Sequence, residues 1–287
     1  MSRGASLAVA VALAGCGGEA SVALCTDSGR TEGVVVTYAT FARQLDETTA
    51  EGLDLDGVVS DGTGEVGCYK PDFTSPEGAK GVDNQLATLL PLVEEFVGTE
   101  NIDALLGAAI ENGQLLIVMN VRGIDDPTND ACVDVAFGAG QGMPLLDANG
   151  VYEKYQSFTW NVPEDPVSVV RNGRIEDGVL TVGPGKLVLP VRILDANFAL
   201  ELSHAHVRAE VTLDEGGGIA LSGIAGGGLD VEAFGEIVNG LNIGDDVKGA
   251  VVPLVKGKAD LAMDADGYCH EISAALRLES TPAFVLE

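Results

Sequence analysis

A change of hydrophobic period near residue 115 constrains the fold of this chain more than any other feature. From "LLIVMNV" onward, apolar and polar residues alternate, which is typical of strands with one buried face. The alternation in "FTWNV" places three apolar side chains on one face: Phe158, Trp160 and Val162. In "NFALELSHAHVRAEVTL" the phase slips between Leu202 and Ala205, which predicts a bulge or bend near His204.

Turn signals divide this strand-rich region into hairpins. "RIEDGVLTV" has an Asp-Gly turn between two short apolar runs, and Gly-Pro-Gly in "VGPGKLVLPVRI" predicts a second turn of the same kind. "AVVPLV" is read only as an apolar stretch, and "EISAALRLESTPAFVL" predicts a final strand.

Three segments have the spacing of amphipathic helices. The first runs from Val82 to Val97, with Asp83 as N-cap and with Pro91 expected to kink or shorten it. The second runs from a Thr99 cap to Asn112-Gly113, and the third is marked by Val231, Phe234, Val238 and Leu241. Helices on either side of a strand-rich centre predict the α+β class: a largely antiparallel, curved sheet packed by a few amphipathic helices, in a single domain.

The N-terminus, "MSRGASLAVAVALAGCGG", has one cation followed by an apolar run too short for a membrane span, which needs about 20 residues. Leu13-Ala14-Gly15-Cys16 after this run resembles the lipobox of a bacterial lipoprotein signal peptide. The resemblance implies a signal peptide at 1–15, an acylated Cys16 with a tether at 16–33, and a domain at 34–287. It implies a membrane partner through the N-terminal lipid, and Gly17 favours the outer over the inner membrane.

The chain is strongly acidic, with 44 acidic and 16 basic residues and a formal charge of −28. Such a surface repels nucleic acid and attracts divalent cations, so we expect no nucleic-acid partner. Because 46 % of the residues are apolar, the composition indicates a folded protein.

Four cysteines remain if Cys16 carries lipid. An even number in an exported chain predicts two disulfides, for which three connectivities exist. We favour Cys68 with Cys132 and Cys25 with Cys269. No C-x-x-C spacing is present, which argues against zinc ribbons and thioredoxin-like centres.

Two acidic turns follow the pattern D-x-D-G-x-x-x-[DE]. Calcium takes six to eight oxygen ligands, and these turns offer carboxylates and a hydroxyl as candidate ligands: Asp54, Asp56, Ser60 and Asp61 in the first, and Asp264, Asp266 and Glu271 in the second. Both lack the first and twelfth ligands of an EF-hand, so calcium would need oxygens from Asp72, Asp83, Asn84 or Asp260. The alternative is a pair of solvated turns, and both interpretations stay open.

Two other motifs give weaker indications of a binding site. His204 and His206, with His270 or an acid, have the spacing of a zinc site, but Arg208, Glu210 and Thr212 continue the same face as a solvated strand. "GIAGGGLD" lacks the ending of a phosphate-binding loop.

The segments "DLDGVVSDG" and "CYKPDFTSPEGAKGVDNQLA", together with "DADGYCHEISAALRLESTPA", resemble a group of bacterial envelope lipoproteins without an assigned activity. We therefore expect a non-catalytic binding or structural module with calcium as candidate cofactor. The alternative is a carrier of hydrophobic ligands or lipid, which would use Phe158, Trp160, Val162, Phe198, Leu200 and Leu202; a hydrolase comes third.

Overall fold

The fold comes from a computed structural model that describes residues 25, 29–97, 102–161, 167–193, 196–240 and 244–286. It does not describe the side chains of 96–97, 189–193 and 196–198. The predictions for Cys16, Thr99, Val162 and Leu241 lie outside the described residues, as does the side chain of Phe198.

Strands dominate the structure. They are β1 Arg30–Phe41, β2 Phe73–Thr74, β3 Lys80–Val82, β4 Ile117–Ile124, β5 Asp130–Gln141, β6 Gln156–Trp160, β7 Ser168–Glu176, β8 Val179–Ile193, β9 Ala196–Leu213, β10 Ile219–Asp230, β11 Leu261–Met263 and β12 Cys269–Leu286. The helices are α1 Leu90–Val97, α2 Ile102–Glu111, α3 Val231–Gly240 and α4 Asp245–Lys258, with 3₁₀ turns at Val66–Tyr69 and Gln85–Thr88.

Eight strands form a closed ring in the order β1-β4-β5-β7-β8-β9-β10-β12, and β12 pairs back onto β1. Every pairing in the ring is antiparallel. Strand β6 adds a short parallel pairing to the end of β12. The sheet-dominated α+β class is confirmed, and the curvature that the sequence predicts is here complete closure.

The alternation of side chains separates the two faces of the ring. Leu180, Ala209 and Ala39 lie on one face, in one cross-strand row, and are buried in the apolar core. Arg208 and Arg277 come one residue before two members of this row, Ala209 in β9 and Leu278 in β12; they lie on the opposite face and are exposed. The apolar face therefore fills the ring, and the outer face is free to carry polar groups.

The predicted irregularity near His204 is confirmed. Between Ser203 and His206, two residues of β9 stand opposite the single residue Gly227 of β10, and His204 has a φ of 48°. This is the two-against-one arrangement of a β-bulge.

The Asp-Gly turn between β7 and β8 is also confirmed, with φ values of 51° and 76° at Asp177 and Gly178. The second predicted turn, at Gly-Pro-Gly, is wrong. Strand β8 continues through it, and its pairing with β9 only shifts register between Val182 and Leu187. Because this shift faces the bulge of β9, both strands are irregular at the same point.

The helix predictions need three corrections. The first helix begins at Leu90, because a proline in the first turn has no N–H to leave unpaired, and a 3₁₀ turn precedes it. Asp83 does not cap it. The apolar stretch "AVVPLV" belongs to a helix, α4, that the sequence pattern did not predict. The second and third helices agree with prediction over their described parts.

Two disulfides are present, but the favoured pairing is wrong. Cys25 pairs with Cys132 and Cys68 with Cys269, with Cα–Cα distances of 5.3 and 6.0 Å. The reason is strand order. β1 lies beside β4, which brings Cys25 to the β4–β5 hairpin, and the 3₁₀ turn of Cys68 contacts β11, the neighbour of β12.

Among the described helices, none combines the length and the apolar character that a membrane crossing requires.

Candidate functional site

The chain between β1 and the second 3₁₀ turn, residues 42–83, forms what we call the capping segment. The Asn84 side-chain amide donates to the carbonyls of Ala42 and Glu51, at 3.2 and 2.7 Å, and so closes the base of the segment. Arg277 of β12 forms an ion pair with Glu51 at 2.7 Å. These contacts and the Cys68–Cys269 disulfide hold the segment to the sheet.

Leu55, at the tip of the first acidic turn, is buried against β10. A Cβ added to Gly226 would lie 3.5 Å from Leu55 Cδ2, an ordinary contact distance, so Leu55 packs over this part of β10.

The first acidic turn brings three carboxylates together. Oxygens of Asp54, Asp56 and Asp83 all lie within 4.8 Å of one another. Asp54 Oδ1 accepts the N–H of Gly57 at 2.7 Å, and Asp56 Oδ1 accepts the N–H of Val58 at 2.9 Å. One oxygen of each exposed aspartate therefore shapes the turn.

Asp83 is the buried member of this group, with only 3 % of its surface exposed. Its Oδ2 accepts the N–H of Leu55 at 2.7 Å, and its own N–H donates to Leu53 O. Burial raises the pKa of Asp83 to about 8; the Leu55 hydrogen bond lowers it, and nearby carboxylates raise it further.

Two more carboxyl groups lie beside Asp83. Asp72 Oδ2 accepts the N–H of Ser60 at 2.5 Å, and burial raises the pKa of Asp72. Asp260 accepts both the N–H and the hydroxyl of Ser273, and burial raises its pKa to about 7. Within the described residues, no Lys, Arg or His forms an ion pair with this group.

The side chains of Ser60 and Asp61, also predicted as ligands, form hydrogen bonds within their own loop instead. Ser60 Oγ lies 2.7 Å from Lys70 O and 3.0 Å from Val66 O. Asp61 Oδ1 accepts the N–H and hydroxyl of Thr63, at 2.9 and 2.6 Å. Both side chains close the loop that leads to Cys68 and do not join the three carboxylates.

The second acidic turn has the same motif but closes on itself. Asp264 Oδ1 accepts the N–H groups of Asp266 and Tyr268, each at 2.9 Å, and its Oδ2 pairs with His270 at 2.7 Å. Glu271 lies elsewhere, where its Oε2 accepts the Ser203 hydroxyl at 2.5 Å. The structure therefore does not bring Asp264, Asp266 and Glu271 together.

Each of the three histidines has a different polar contact. His204 Nδ1 is 3.7 Å from Glu271 Oε2, His206 Nδ1 is 2.9 Å from the carbonyl of His204, and His270 pairs with Asp264. Ser203 lies 3.3 Å from His204 Nδ1, but the same nitrogen faces Glu271. A nucleophile–base–acid relay needs a separate imidazole nitrogen on each side, and this arrangement does not provide it.

A cleft of about 1040 Å³ lies between the capping segment and the outer face of the ring. Its floor contains two cross-strand rows of side chains. One row is Tyr38, Glu279, Ser222 and Glu210. The other is Thr40, Arg277, Ile224 and Arg208. Ser75–Glu77, Lys80 and Asp54 of the capping segment also line the cleft, as do Glu111 and Val151, so the cleft is polar and carries both signs of charge.

The apolar residues suggested for a hydrophobic carrier lie mostly in the core. Phe158, Trp160 and Leu202 are buried, with 2, 7 and 2 % of their surface exposed, and Leu200 packs at the core's margin.

The sequence indicates Asp72 and Asp260 only as possible suppliers of missing calcium ligands, and Asp83 both as such a ligand and as a helix cap. Ser273 and the Glu51–Arg277 pair were not predicted. The signal for Asp83 is its place directly after β3, since its backbone bridges to Leu53 beside Asp54. Comparison of the chain with protein-family profiles, with curated proteins and with solved structures finds no match.

Proposed function

We propose that this protein is a lipid-anchored lipoprotein of the bacterial cell envelope that acts as a non-catalytic binding module. The Leu-Ala-Gly-Cys sequence ending at Cys16 supports the anchor, and Gly17 supports the outer membrane. The ligand site is the cleft between the capping segment and the ring.

The observation that carries the binding role is the cleft itself. Its volume of about 1040 Å³ is slightly above the range of roughly 300–1,000 Å³ that ligand sites span. Tyr38 is 45 % exposed on its floor and offers a flat apolar surface, while hydroxyls and charged groups surround it. This mixture suits a polar ligand such as a saccharide or a peptide.

Two observations favour this proposal over its alternatives. The burial of Phe158 and Trp160 in the core disfavours a carrier of hydrophobic ligands. The shared nitrogen of His204 disfavours a hydrolase centred on Ser203.

The anchor is tested by expressing the full chain in a bacterial host as wild type and as Cys16→Ala, with Ser21→Ala as the control in the same tether. We expect wild type and Ser21→Ala in the membrane fraction with the added mass of acyl chains, and Cys16→Ala without that mass and out of the membrane fraction. Membrane-bound Cys16→Ala with the wild-type mass would contradict the anchor.

The binding role is tested by mixing the full mature chain with each member of a panel of cell-wall saccharides and short peptides. A rise in melting temperature reports binding. Tyr38→Ala should remove the response to a panel member, whereas Tyr268→Ala, an exposed tyrosine that does not line the cleft, should keep it. An equal loss in both variants would exclude the cleft.

A further inference from the structure

Charges of both signs lie unpaired on the floor of the cleft. Arg208, Glu210 and Glu279 are exposed and line the cleft. The guanidinium of Arg208 forms no hydrogen bond or ion pair with any residue that the structure describes, and neither carboxylate forms an ion pair with such a residue. Arg277, by contrast, is neutralised by Glu51 at 2.7 Å. The three unpaired groups are therefore open to a ligand.

An unpaired arginine needs an explanation in this chain, because 44 acidic residues stand against 16 basic ones. Five other arginines each form an ion pair with a carboxylate: Arg30, Arg43, Arg171, Arg174 and Arg277. A guanidinium presents two parallel N–H groups that match the two oxygens of a carboxylate. The free guanidinium of Arg208 therefore suits a carboxylate that a ligand brings into the cleft.

Arg208 also lies close to the capping segment. The pKa of the Glu77 carboxyl is lowered by hydrogen bonds from its own backbone N–H and from the Ser75 hydroxyl, and further by the positive charge of Arg208. Glu77 and Arg208 form no ion pair, so Glu77 does not compete for the guanidinium. A carboxylate bound to Arg208 would lie between the ring and the capping segment.

The other end of the floor suits a cation. Tyr38 of β1 stands directly opposite Glu279 of β12 in the strand register, and 45 % of its surface is exposed. A carboxylate beside an exposed aromatic ring attracts an ammonium group through the ion pair and through the negative face of the ring. Tyr38 and Glu279 together therefore offer a place for an amino group.

We infer that the cleft binds a short peptide of about three residues with both ends free, its carboxylate on Arg208 and its amino group between Glu279 and Tyr38. This inference rests on the proposed binding role of the cleft and names the ligand class. A neutral saccharide would cover charges of both signs without neutralising them, which costs binding free energy. A purely anionic ligand would meet the unpaired carboxylates of Glu210 and Glu279. A peptide with free ends complements both signs.

The strand register sets the length of the peptide. Arg208 pairs with Ile224 and Glu279 pairs with Ser222, so Arg208 and Glu279 are two strands apart and offset by two residues along the strands. With strands about 4.8 Å apart and a rise of about 3.4 Å per residue, their Cα atoms are about 12 Å apart. An extended tripeptide spans about 10–11 Å, and the two long side chains can close the remaining distance.

The test uses trialanine, its C-terminal amide and its N-acetyl form, each titrated into the full mature chain in a calorimeter. The three peptides differ only in which end is charged. The variants are Arg208→Gln and Glu279→Gln. Arg174 and Glu176 of β7 supply the matched controls Arg174→Gln and Glu176→Gln, because both are exposed and neither lines the cleft.

We expect wild type to bind trialanine, and to bind the amide and the acetylated peptide at least about tenfold more weakly, because each has lost one charge-assisted contact. In Arg208→Gln, trialanine should bind as weakly as the amide binds to wild type, and the distinction between the two peptides should disappear. Glu279→Gln should likewise stop distinguishing trialanine from its acetylated form. Both control variants should keep the wild-type affinities.

Three results would overturn the inference: no binding of trialanine at millimolar concentration, equal affinity of wild type for trialanine and its amide, or equal weakening by Arg208→Gln and Arg174→Gln. Melting of each variant without peptide confirms that it is folded. If a saccharide of the panel binds in a Tyr38-dependent manner and trialanine does not bind, the binding role of the cleft stands and only this inference fails.

Discussion

The Cys68–Cys269 disulfide gives the sharpest test of the fold, because its pairing differs from the one that the sequence favours. It closes a loop of 201 residues and joins the capping segment to the last strand of the ring. We expect the variant Cys68→Ser/Cys269→Ser to fold, because the ring pairings do not depend on this bond, but to be less stable.

The magnitude follows from loop closure in the unfolded chain. For a loop of this length the chain-entropy relation gives a loss of about 5 kcal/mol at 25 °C. The remaining Cys25–Cys132 bond changes this little, because a path through it is still nearly as long. A loss of this size is a large part of the roughly 5–15 kcal/mol that stabilises a typical domain.

The assay is urea unfolding of the oxidised variant, combined with thiol titration in denaturant. With Cys16 acylated, the variant should show no free thiol, since Cys25 and Cys132 stay paired. The matched variant Cys68→Ser/Cys132→Ser should instead leave Cys25 and Cys269 as two free thiols. Free thiols in the first variant, or a stability loss below about 1 kcal/mol, would refute the pairing or its energetic role.

Two further predictions concern single side chains. Tyr152, 5 % exposed, donates to Ile110 O at 2.6 Å; that carbonyl keeps a second donor, so Tyr152→Phe should cost only about 0.5–1.5 kcal/mol at pH 7 in urea unfolding. Burial raises the pKa of Tyr152 to about 12, so above pH 10 the folded state keeps a proton that the unfolded chain loses. The free energy of unfolding of the wild type should therefore fall by about 1.4 kcal/mol per pH unit in this range, and Tyr152→Phe should lack that part of the fall. Parallel pH profiles of the two proteins would contradict this prediction. Gly223→Ala would place a Cβ 2.1 Å from the backbone oxygen of Arg208 and should lower stability by at least about 1–3 kcal/mol. In Gly226→Ala the nearest contact of the new Cβ is 3.1 Å, so this variant should lose less stability. Thermal melting of both variants tests this difference, and equal losses would contradict the argument.

Some local patterns predicted the local structure correctly. The bulge near His204 follows from a break in strict alternation, because a strand with a buried face cannot change phase without an extra residue. The Asp177-Gly178 turn follows from residues that accept positive φ. By contrast, α4 was missed because Pro253 lies inside it and only Val251 and Val255 are buried, which leaves almost no apolar stripe.

Long-range features could not be predicted in the same way. The disulfide pairing depends on which strands become neighbours in the ring, and nothing near Cys25 or Cys132 in the sequence encodes that. The two D-x-D-G turns have the same sequence pattern but different neighbours. The carboxyl group of Asp83 lies close to Asp54 and Asp56 of the first turn, whereas Asp264 of the second turn pairs with His270. Asp83 was read as a helix cap because its partner Leu55 belongs to another part of the capping segment.

Closure of the ring by β1 and β12 has a consequence for how the chain folds. Thr37 donates to the carbonyl of Glu279, and these residues are 242 positions apart. Contacts of such separation slow folding, because a long stretch of chain loses its freedom before the contact contributes anything. Until β12 is made, one edge of β1, with its apolar sequence "GVVVTYATF", has no permanent neighbour and can pair with other chains. We therefore expect folding to be rate-limited by this last pairing, and any chain shortened before β12 to aggregate rather than fold.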